Sequence, residues 1–131
     1  MKTFLSALGF SFVLIPTLAS AATWLLAATG SSSGNAFYID TESVQISGNS
    51  RTFWVKGNYA ERDRFGNLSS KNQYTINCAR RESITRWITT FDDSDNNGRV
   101  TASFETRTAS WAPIAPNSID DALRDTVCSL K

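Results

Sequence analysis

The amino-acid sequence predicts an α+β domain in which an antiparallel β-sheet is followed by one C-terminal α-helix. Short strand-like segments separated by turn-forming residues fill the chain from Thr23 to Thr106. Such a series is typical of an antiparallel sheet rather than of βαβ units. A helical spacing of apolar residues appears only after Pro116, which places the single helix at the end.

Residues 1–21 have the organisation of a secretory signal peptide. Lys2 supplies a positive n-region, residues 4–15 form an apolar h-region, and small residues lead up to Ala21, as signal peptidase requires. The apolar run is too short to serve as a membrane span. We therefore expect cleavage near Ala21 and one mature domain, residues 22–131, that is periplasmic, secreted or at the cell surface.

The cysteine and histidine content limits the chemistry. Cys78 and Cys128 are the only cysteines, and the chain has no histidine. An even pair of cysteines in an exported small domain indicates one disulfide. Without histidine the chain has no Ser-His or Cys-His nucleophile and no imidazole metal ligand. We expect no enzyme activity and no cofactor, with a small hydrolase based on paired carboxylates as an alternative.

The charge balance argues against nucleic acid as a partner. The chain has 13 basic and 12 acidic side chains, and loss of Lys2 with the signal peptide balances them. A neutral domain has no long-range field to attract nucleic acid or anionic lipid.

The strands are expected where apolar, aromatic and β-branched residues concentrate between turn signals. These segments are residues 23–28, 36–40, 44–47, 51–59 and 100–106. Residues 73–84 and 85–91 form either one long bent strand or two strands in succession, which would place Arg80 and Arg81 on a strand.

Two polar segments of the sheet region are expected to be irregular. Residues 60–72, which contain several charged residues, glycine and paired serines, are expected to form a long exposed loop. Residues 92–98 are expected to form a turn, because asparagine and glycine tolerate positive φ.

The C-terminal helix has a recognisable start. Ser118 with Asp121 three residues later resembles a capping box, and Asp120 and Asp121 favour the positive end of the helix dipole. One apolar stripe follows: Ile119, Ala122, Leu123, Thr126, Val127 and Leu130. Because Cys128 lies opposite this stripe on an ideal helix, we expect the helix to fray near Val127 so that Cys128 can reach Cys78.

One segment resembles part of a calcium-binding loop. Residues 93–98 place Asp93, Asp95 and Asn97 at alternate positions before Gly98, as in the first half of an EF-hand loop. The position of the final bidentate ligand is occupied by Phe104. The segment therefore favours a plain turn, with weak calcium binding as the alternative.

Arginine and aromatic residues suggest a protein-binding surface, since these residue types anchor interfaces. The candidates are Arg62, Arg64 and Phe65 in the long loop and Arg80 and Arg81 nearer the centre of the sequence. For the three tryptophans of the central and C-terminal parts, packing under the helix is the simpler expectation. These are Trp54, Trp87 and Trp111.

The mature chain also resembles the surface-adhesin protein E family of small exported proteins from Gram-negative bacteria. The resemblance is carried by Trp24-Leu25-Leu26, Phe37 to Asp40, Ser43-Val44, Tyr74 to Arg81, Trp111 to Ser118 and Val127-Cys128. It implies an antiparallel sheet of about six strands with the helix packed across it, a Cys78–Cys128 link and no catalytic role. It also implies an adhesin that binds host matrix and plasma proteins such as laminin, vitronectin and plasminogen.

Two functional interpretations follow. The first is a non-catalytic exported binding module that contacts a host matrix or envelope protein through loops and an edge strand. The second is a periplasmic structural or accessory protein of the cell envelope with no host target. The identity of the partner and the oligomeric state stay open.

Overall fold

The computed structural model describes residues 9, 11 and 21–131. The predicted signal peptide, residues 1–21, therefore lies almost entirely outside the described residues. In the part of the chain that is described, no helix has the length and apolar character needed to cross a bilayer.

Eight strands and one α-helix follow one another along the described chain. The strands are β1 (Trp24–Thr29), β2 (Ala36–Asp40), β3 (Gln45–Ser47), β4 (Ser50–Asn58), β5 (Ser69–Asn77), β6 (Glu82–Phe91), β7 (Val100–Glu105) and β8 (Ala112–Pro113). The helix is α1 (Ile119–Cys128). All pairings are antiparallel, in the order β1-β2-β4-β5-β6-β7. Strand β3 pairs with β4, and β8 pairs with β6.

The antiparallel sheet, the C-terminal helix and the disulfide predicted from the sequence are confirmed. The main path contains the six strands that were expected, and two short strands bring the total to eight. These short strands extend β4 and β6 beyond the reach of their longer neighbours β2 and β7.

The hydrophobic core lies between one face of the sheet and α1. It contains Ile39, Phe53, Val55, Ile76, Ile114, Leu123 and Val127. The strand members alternate with polar or half-buried residues of the opposite face, as the two-residue period of a strand requires. Apolar burial on this single face is the main stabilising contribution to the fold.

The helix begins as the sequence predicts. The Ser118 hydroxyl accepts a hydrogen bond from the backbone N–H of Asp121 at 3.2 Å. The Asp121 carboxylate in turn accepts from the backbone N–H of Asn117 at 3.0 Å. Together with Asp120 in the first turn, these contacts satisfy free N–H groups and oppose the helix dipole.

The expected fraying at Val127 is wrong. Helix α1 is regular through Cys128, and Cys128 still forms the disulfide with Cys78, with the two Cα atoms 5.9 Å apart. Cys78 lies immediately after β5, beside the last helical turn, so no unwinding is needed. The Arg51 guanidinium fixes this turn by donating to the carbonyl oxygens of Val127 and Leu130, each at 3.2 Å.

The prediction of a long exposed loop at residues 60–72 extends too far along the chain. Strand β5 already begins at Ser69 and pairs with both β4 and β6. Ser69 and Ser70 are buried, and the Ser69 hydroxyl donates to the carbonyl of Asp93. Small polar side chains fit this crowded position, so tertiary pairing overrides their preference for loops.

The placement of Arg80 and Arg81 on a strand is wrong as well. Strands β5 and β6 are separate, and a tight turn of residues 78–81 joins them. Arg81 takes a φ of 53°, a left-handed conformation that turns allow at single residues. Two strands in succession are therefore correct in number, but the break lies at residues 78–81 and not between residues 84 and 85.

Loss of the disulfide should lower the free energy of unfolding strongly. The bond closes a sequence separation of 50 residues, for which the chain-entropy estimate is about 4 kcal/mol. We expect a Cys78→Ala/Cys128→Ala variant to show this loss in urea unfolding, and chemically reduced native protein to match it. A loss below about 1 kcal/mol would mean that the unfolded chain gains little freedom from the missing link.

Truncation in the core should be costly only where the side chain is buried. Leu123 of α1 is 2% exposed, whereas Leu25 of β1 is 48% exposed. We expect Leu123→Ala to reduce the free energy of unfolding by about 2–5 kcal/mol and Leu25→Ala by less than about 1 kcal/mol. Urea unfolding monitored by tryptophan fluorescence measures both, and equal losses would contradict the described core.

Candidate functional site

The Arg62–Phe65 segment lies in the loop that joins β4 to β5 at one end of the sheet. The loop is closed at its base, where the backbone N–H of Tyr59 donates to the carbonyl of Leu68 at 2.9 Å. Further out, the N–H of Asp63 donates to the carbonyl of Asn67 at 3.0 Å. The loop is therefore an ordered hairpin connection that backbone hydrogen bonds hold closed.

Asp63 organises the tip of this loop. One carboxylate oxygen accepts from the backbone N–H groups of Phe65 and Asn67, each at 2.9 Å. The other accepts from the Asn67 side-chain amide at 3.1 Å. Burial acts to raise the pKa of Asp63, but these hydrogen bonds and the nearby charge of Arg64 outweigh it, so the pKa lies below its ordinary value of 3.8.

Arg62 is an internal brace of the same region. Its guanidinium donates to the carbonyl of Gly66 at 3.0 Å and to that of Asp92 at 2.7 Å. The second bond connects the loop to the segment after β6. Arg62 therefore holds two loops together, although its residue is exposed.

Arg64 and Phe65 form the outer part of the loop. The Arg64 guanidinium carbon lies 4.8 Å from the centre of the Phe65 ring, a cation–π geometry. The Phe65 residue is 73% exposed. An aromatic residue displayed in this way is a ready contact for another molecule.

Phe65 borders an open groove of about 490 Å³ on the helix side of the sheet. The groove is lined by Asp63, Phe65, Asn67, Ile88, Thr90, Thr101, Ala102 and Phe104. Phe104 of β7 is 49% exposed, and Val100 on the same strand is 51% exposed. No sequence signal marks these strand residues as site candidates, because apolar residues at alternate positions of a strand usually face a core. The structure leaves them uncovered.

Arg80 and Arg81 lie at the opposite end of the sheet. Strand β5, about 30 Å long, separates their turn from the Arg62–Phe65 loop. Arg81 binds Asp121 of α1, with 3.1 Å between Nη2 and Oδ1. The structure thus does not bring the five predicted binding residues into one site, and Arg81 already has a structural partner.

The turn at residues 92–98 is formed as predicted, with a 3-10 turn at Ser94–Asn96. Asp95 accepts from the Asn58 side-chain amide at 2.5 Å and lies 3.4 Å from the Lys56 ammonium. The Asn58 hydrogen bond is the largest influence on Asp95, and with Lys56 it lowers the pKa below 3.8 despite some burial.

The other calcium candidates of this turn also have roles within it. Asp93 caps the 3-10 turn by accepting from the N–H of Ser94 at 2.7 Å. Asn97 donates its backbone N–H to the carbonyl of Ser94. Among the residues that the structure describes, no three acidic, histidine or cysteine side chains are grouped as metal ligands would be.

A polar cleft of about 590 Å³ lies between the serine-rich β1–β2 connection and the start of α1. Its two carboxylates are those of Asp121 and Asp125. Asp121 binds Arg81, and Asp125 lies 3.6 Å from the Arg124 guanidinium. These ion pairs and the helix cap account for both acidic residues as parts of the helix.

The tryptophans do not pack under the helix. Phe53 and Val55, the neighbours of Trp54 in β4, point into the core, so Trp54 lies on the face of the sheet opposite α1. Trp87 lies on the same face, because Gln73 of β5 is paired with both tryptophans. Trp111 precedes β8 and is 42% exposed. Packing in the core under the helix therefore does not explain why these three tryptophans are present.

Comparison with known proteins identifies relatives of this fold. The sequence model of the family described as Surface-adhesin protein E matches residues 24–129. No curated protein matches the chain significantly in sequence. Crystal form II of Haemophilus influenzae protein E aligns over 82% of this chain and 97% of its own, with 18% identity and a TM-score of 0.57.

A structure of protein E from non-typeable Haemophilus influenzae aligns over 88% of this chain and 82% of its own, with 16% identity and a TM-score of 0.57. At such low identity these structures show a shared fold only. The match to the family model, however, spans nearly the whole described domain. The chain therefore belongs to the surface-adhesin protein E family.

Proposed function

We propose that this chain is a non-catalytic exported module that binds a protein partner along strand β7 and the adjacent groove. Membership of the surface-adhesin protein E family supports an adhesin-like exported protein. Export would follow cleavage of residues 1–21. The observation that carries the proposal is the uncovered edge of β7 beside an exposed apolar groove.

Strand β7 is an edge strand whose protection is limited to Glu105 at its end and a β-bulge at Thr101. Its inner side pairs with β6, and within residues 21–131 no strand pairs with its outer side. Its sequence, Val100–Glu105, contains no lysine or proline. Soluble proteins commonly use such residues to block edge-to-edge pairing, so this edge is open to strand addition.

The groove next to β7 supplies apolar contacts of the kind that give such a complex specificity. Phe65 lines the groove from the β4–β5 loop, and Phe104 lines it from β7 itself. A bound strand would make main-chain hydrogen bonds to β7 and place alternate side chains against these rings. Arg64, stacked on Phe65, would pair with an acidic residue of the partner.

The proposed partner is an extended segment of a host matrix or plasma protein. Laminin, vitronectin and plasminogen are the first to be tested, because the family resemblance implies them. The alternative, a periplasmic accessory role, predicts binding to an envelope protein instead. Pull-down from matrix proteins and from an envelope extract distinguishes the two.

Removal of the Phe104 ring should weaken binding of the protein partner. Aromatic anchors in interfaces account for large parts of the affinity, so we expect Phe104→Ala to raise Kd about tenfold or more. Surface plasmon resonance with the exported protein measures this change. Leu25→Ala is a matched control, since Leu25 is 48% exposed and lies at the other edge of the sheet.

Two results would refute this placement of the site. In one, Leu25→Ala weakens binding while Phe104→Ala does not, which would assign the contact to β1. In the other, neither variant changes Kd, which would remove both edges from consideration. Circular dichroism on each variant verifies that the fold is intact.

Ionised Asp63 should stabilise the loop that displays Phe65. Because its pKa is below 3.8 in the folded protein, its contribution is present at neutral pH and is lost as the pH falls through this lowered value. We expect Asp63→Asn to have a smaller free energy of unfolding than the native protein at neutral pH. The difference should shrink in strong acid, where the native carboxylate is also protonated.

Urea unfolding at both pH values tests this expectation, with Glu61→Gln as control. Glu61 is an exposed carboxylate of the same loop, and its replacement should leave stability nearly unchanged. A difference between Asp63→Asn and native protein that persists in strong acid would show that the negative charge is not the cause.

A further inference from the structure

The face of the sheet opposite α1, which we call the open face, carries a row of alternating indole and polar side chains. Strand pairing places Trp24 beside Asp40, and it places Trp54, Gln73, Trp87 and Glu105 side by side. The β2–β4 register ends at the pair Ile39 and Val55, and its continuation brings Asp40 next to Trp54. We call this set the tryptophan row. The three indoles are half-buried, so they form part of a surface and not of a core.

Basic side chains accompany the row. The Lys71 ammonium lies 5.1 Å from the centre of the Trp54 ring, and the Arg86 guanidinium carbon lies 5.9 Å from that of Trp111. Within residues 21–131, neither Lys71 nor Arg86 forms an ion pair with an acidic side chain. Both positive charges are therefore available to an external anion.

Lys56 differs from these two. Its ammonium lies 5.1 Å from the Trp24 ring and 4.9 Å from the Tyr38 ring. It also forms an ion pair with Asp95, and its side chain is only 12% exposed. Lys56 thus positions the rings at the β1 side of the row, while its charge is already neutralised.

The row is bounded at one end of the strands by the turn at residues 92–98. This turn folds back over the open face, where Ser69 donates to the carbonyl of Asp93 and Asn58 donates to Asp95, each at 2.5 Å. This turn would block a ligand that lay parallel to the strands. A ligand on the open face would therefore lie across the strands, along the row.

Local contacts hold the rings and charges of the row in place. The Trp87 indole N–H donates to the Ser103 hydroxyl at 3.1 Å, and Ser103 is also hydrogen-bonded to Thr89 at 3.0 Å. A β-bulge leaves Arg86 unpaired beside Trp87. Such prior positioning lowers the entropy cost of binding a ligand.

The spacing of the row suits a polymer of rings. Trp54 and Trp87 are two strands apart, which corresponds to about 10 Å. This distance is close to the disaccharide repeat of an extended glycan. The exposed parts of these half-buried indoles offer apolar surface for sugar rings, with the Lys71 ammonium beside it over the Trp54 ring. The intervening Gln73 offers a donor and an acceptor for hydroxyl groups.

We propose that the open face binds an extended acidic glycan across the strands. Trp54 and Trp87 stack on alternate sugars, and Lys71 and Arg86 pair with carboxylate or sulfate groups of the chain. Of the two acidic side chains of the row, Asp40 is buried and accepts backbone N–H groups, and Glu105 is paired with Arg107. The positive charges of Lys71 and Arg86 therefore remain for an acidic ligand.

This surface is separate from the groove beside β7. The row faces away from α1, whereas Phe104 faces the helix side, opposite Ile88. The two proposals can therefore fail independently of each other.

The first test is a titration of the native protein observed by NMR. The probes are a hyaluronan octasaccharide, which carries only carboxylates, a heparin octasaccharide, which also carries sulfates, and neutral chitohexaose. We expect the indole N–H resonances of the row to shift with an acidic probe, while the amide resonances of Phe65 and Phe104 stay in place. A response to hyaluronan assigns carboxylate recognition, and one to heparin alone assigns sulfate recognition.

Variants then separate stacking from charge. We expect Trp87→Ala to weaken binding of the acidic probe about tenfold or more, as for a stacked anchor, and Trp87→Phe to retain most of the affinity. Lys71→Gln should also weaken binding and reduce its dependence on salt. Leu25→Ala is the matched control, because Leu25 is exposed and is paired with the core residue Ile39, on the other face of the sheet from the row, and it should leave Kd unchanged.

Several results would overturn the proposal. No shift of the indole resonances with any probe would do so, even if Trp87→Ala failed to fold. Equal affinity for chitohexaose would exclude recognition of acidic groups. Binding of heparin that is insensitive to both Trp87→Ala and Lys71→Gln would be a general charge effect elsewhere on the protein.

Discussion

The attachment of α1 to the sheet is the constraint on which the rest of the structure depends. A helix of ten residues is marginal by itself in water. Here its Leu123 and Val127 side chains enter the core, and the Cys78–Cys128 disulfide joins its last turn to the end of β5. Arg51 adds hydrogen bonds to the carbonyls of that turn. The helix is therefore held at one defined place on the sheet.

The size of α1 determines what remains uncovered. The helix is about 15 Å long and 10 Å wide, whereas six strands span about 24 Å from the first to the last. Among the strands, α1 approaches β1 most extensively, and the upper part of the β6–β7 side keeps an open groove with Phe65 and Phe104 at its surface. The opposite face receives no α-helix among the described residues, and only the turn at residues 92–98 folds over one end of it. Both proposed surfaces result from this incomplete coverage.

The sequence predicts those features that depend on neighbours in the chain. The capping by Ser118, the turn before Gly98 and the strand around Val55 all follow from local patterns, and they are present. The pairing of Cys78 with Cys128 follows from their number alone. Family resemblance adds the packing of the helix across the sheet, which no local pattern contains.

The errors concern features that depend on distant partners. Ser69 begins a strand because β4 and β6 flank it, which its polar side chain does not indicate. The turn ending at Arg81 contains neither glycine nor proline, so no breaker signal marks it. The tryptophan row requires the register of five strand pairs, including the bulge at Arg86. A single sequence does not supply such pairings.

The position of α1 beside β1 has a consequence for the order of folding. The strands pair mostly with close neighbours in sequence, so a growing sheet forms by successive hairpins at low loop-closure cost. The helix is the exception, because the last segment must return to the first strand. A polypeptide that emerges from its N-terminus would thus form a nearly complete sheet. The apolar face of this sheet would stay exposed until the final residues of the chain arrive. During that interval it is most prone to aggregation and most dependent on chaperones.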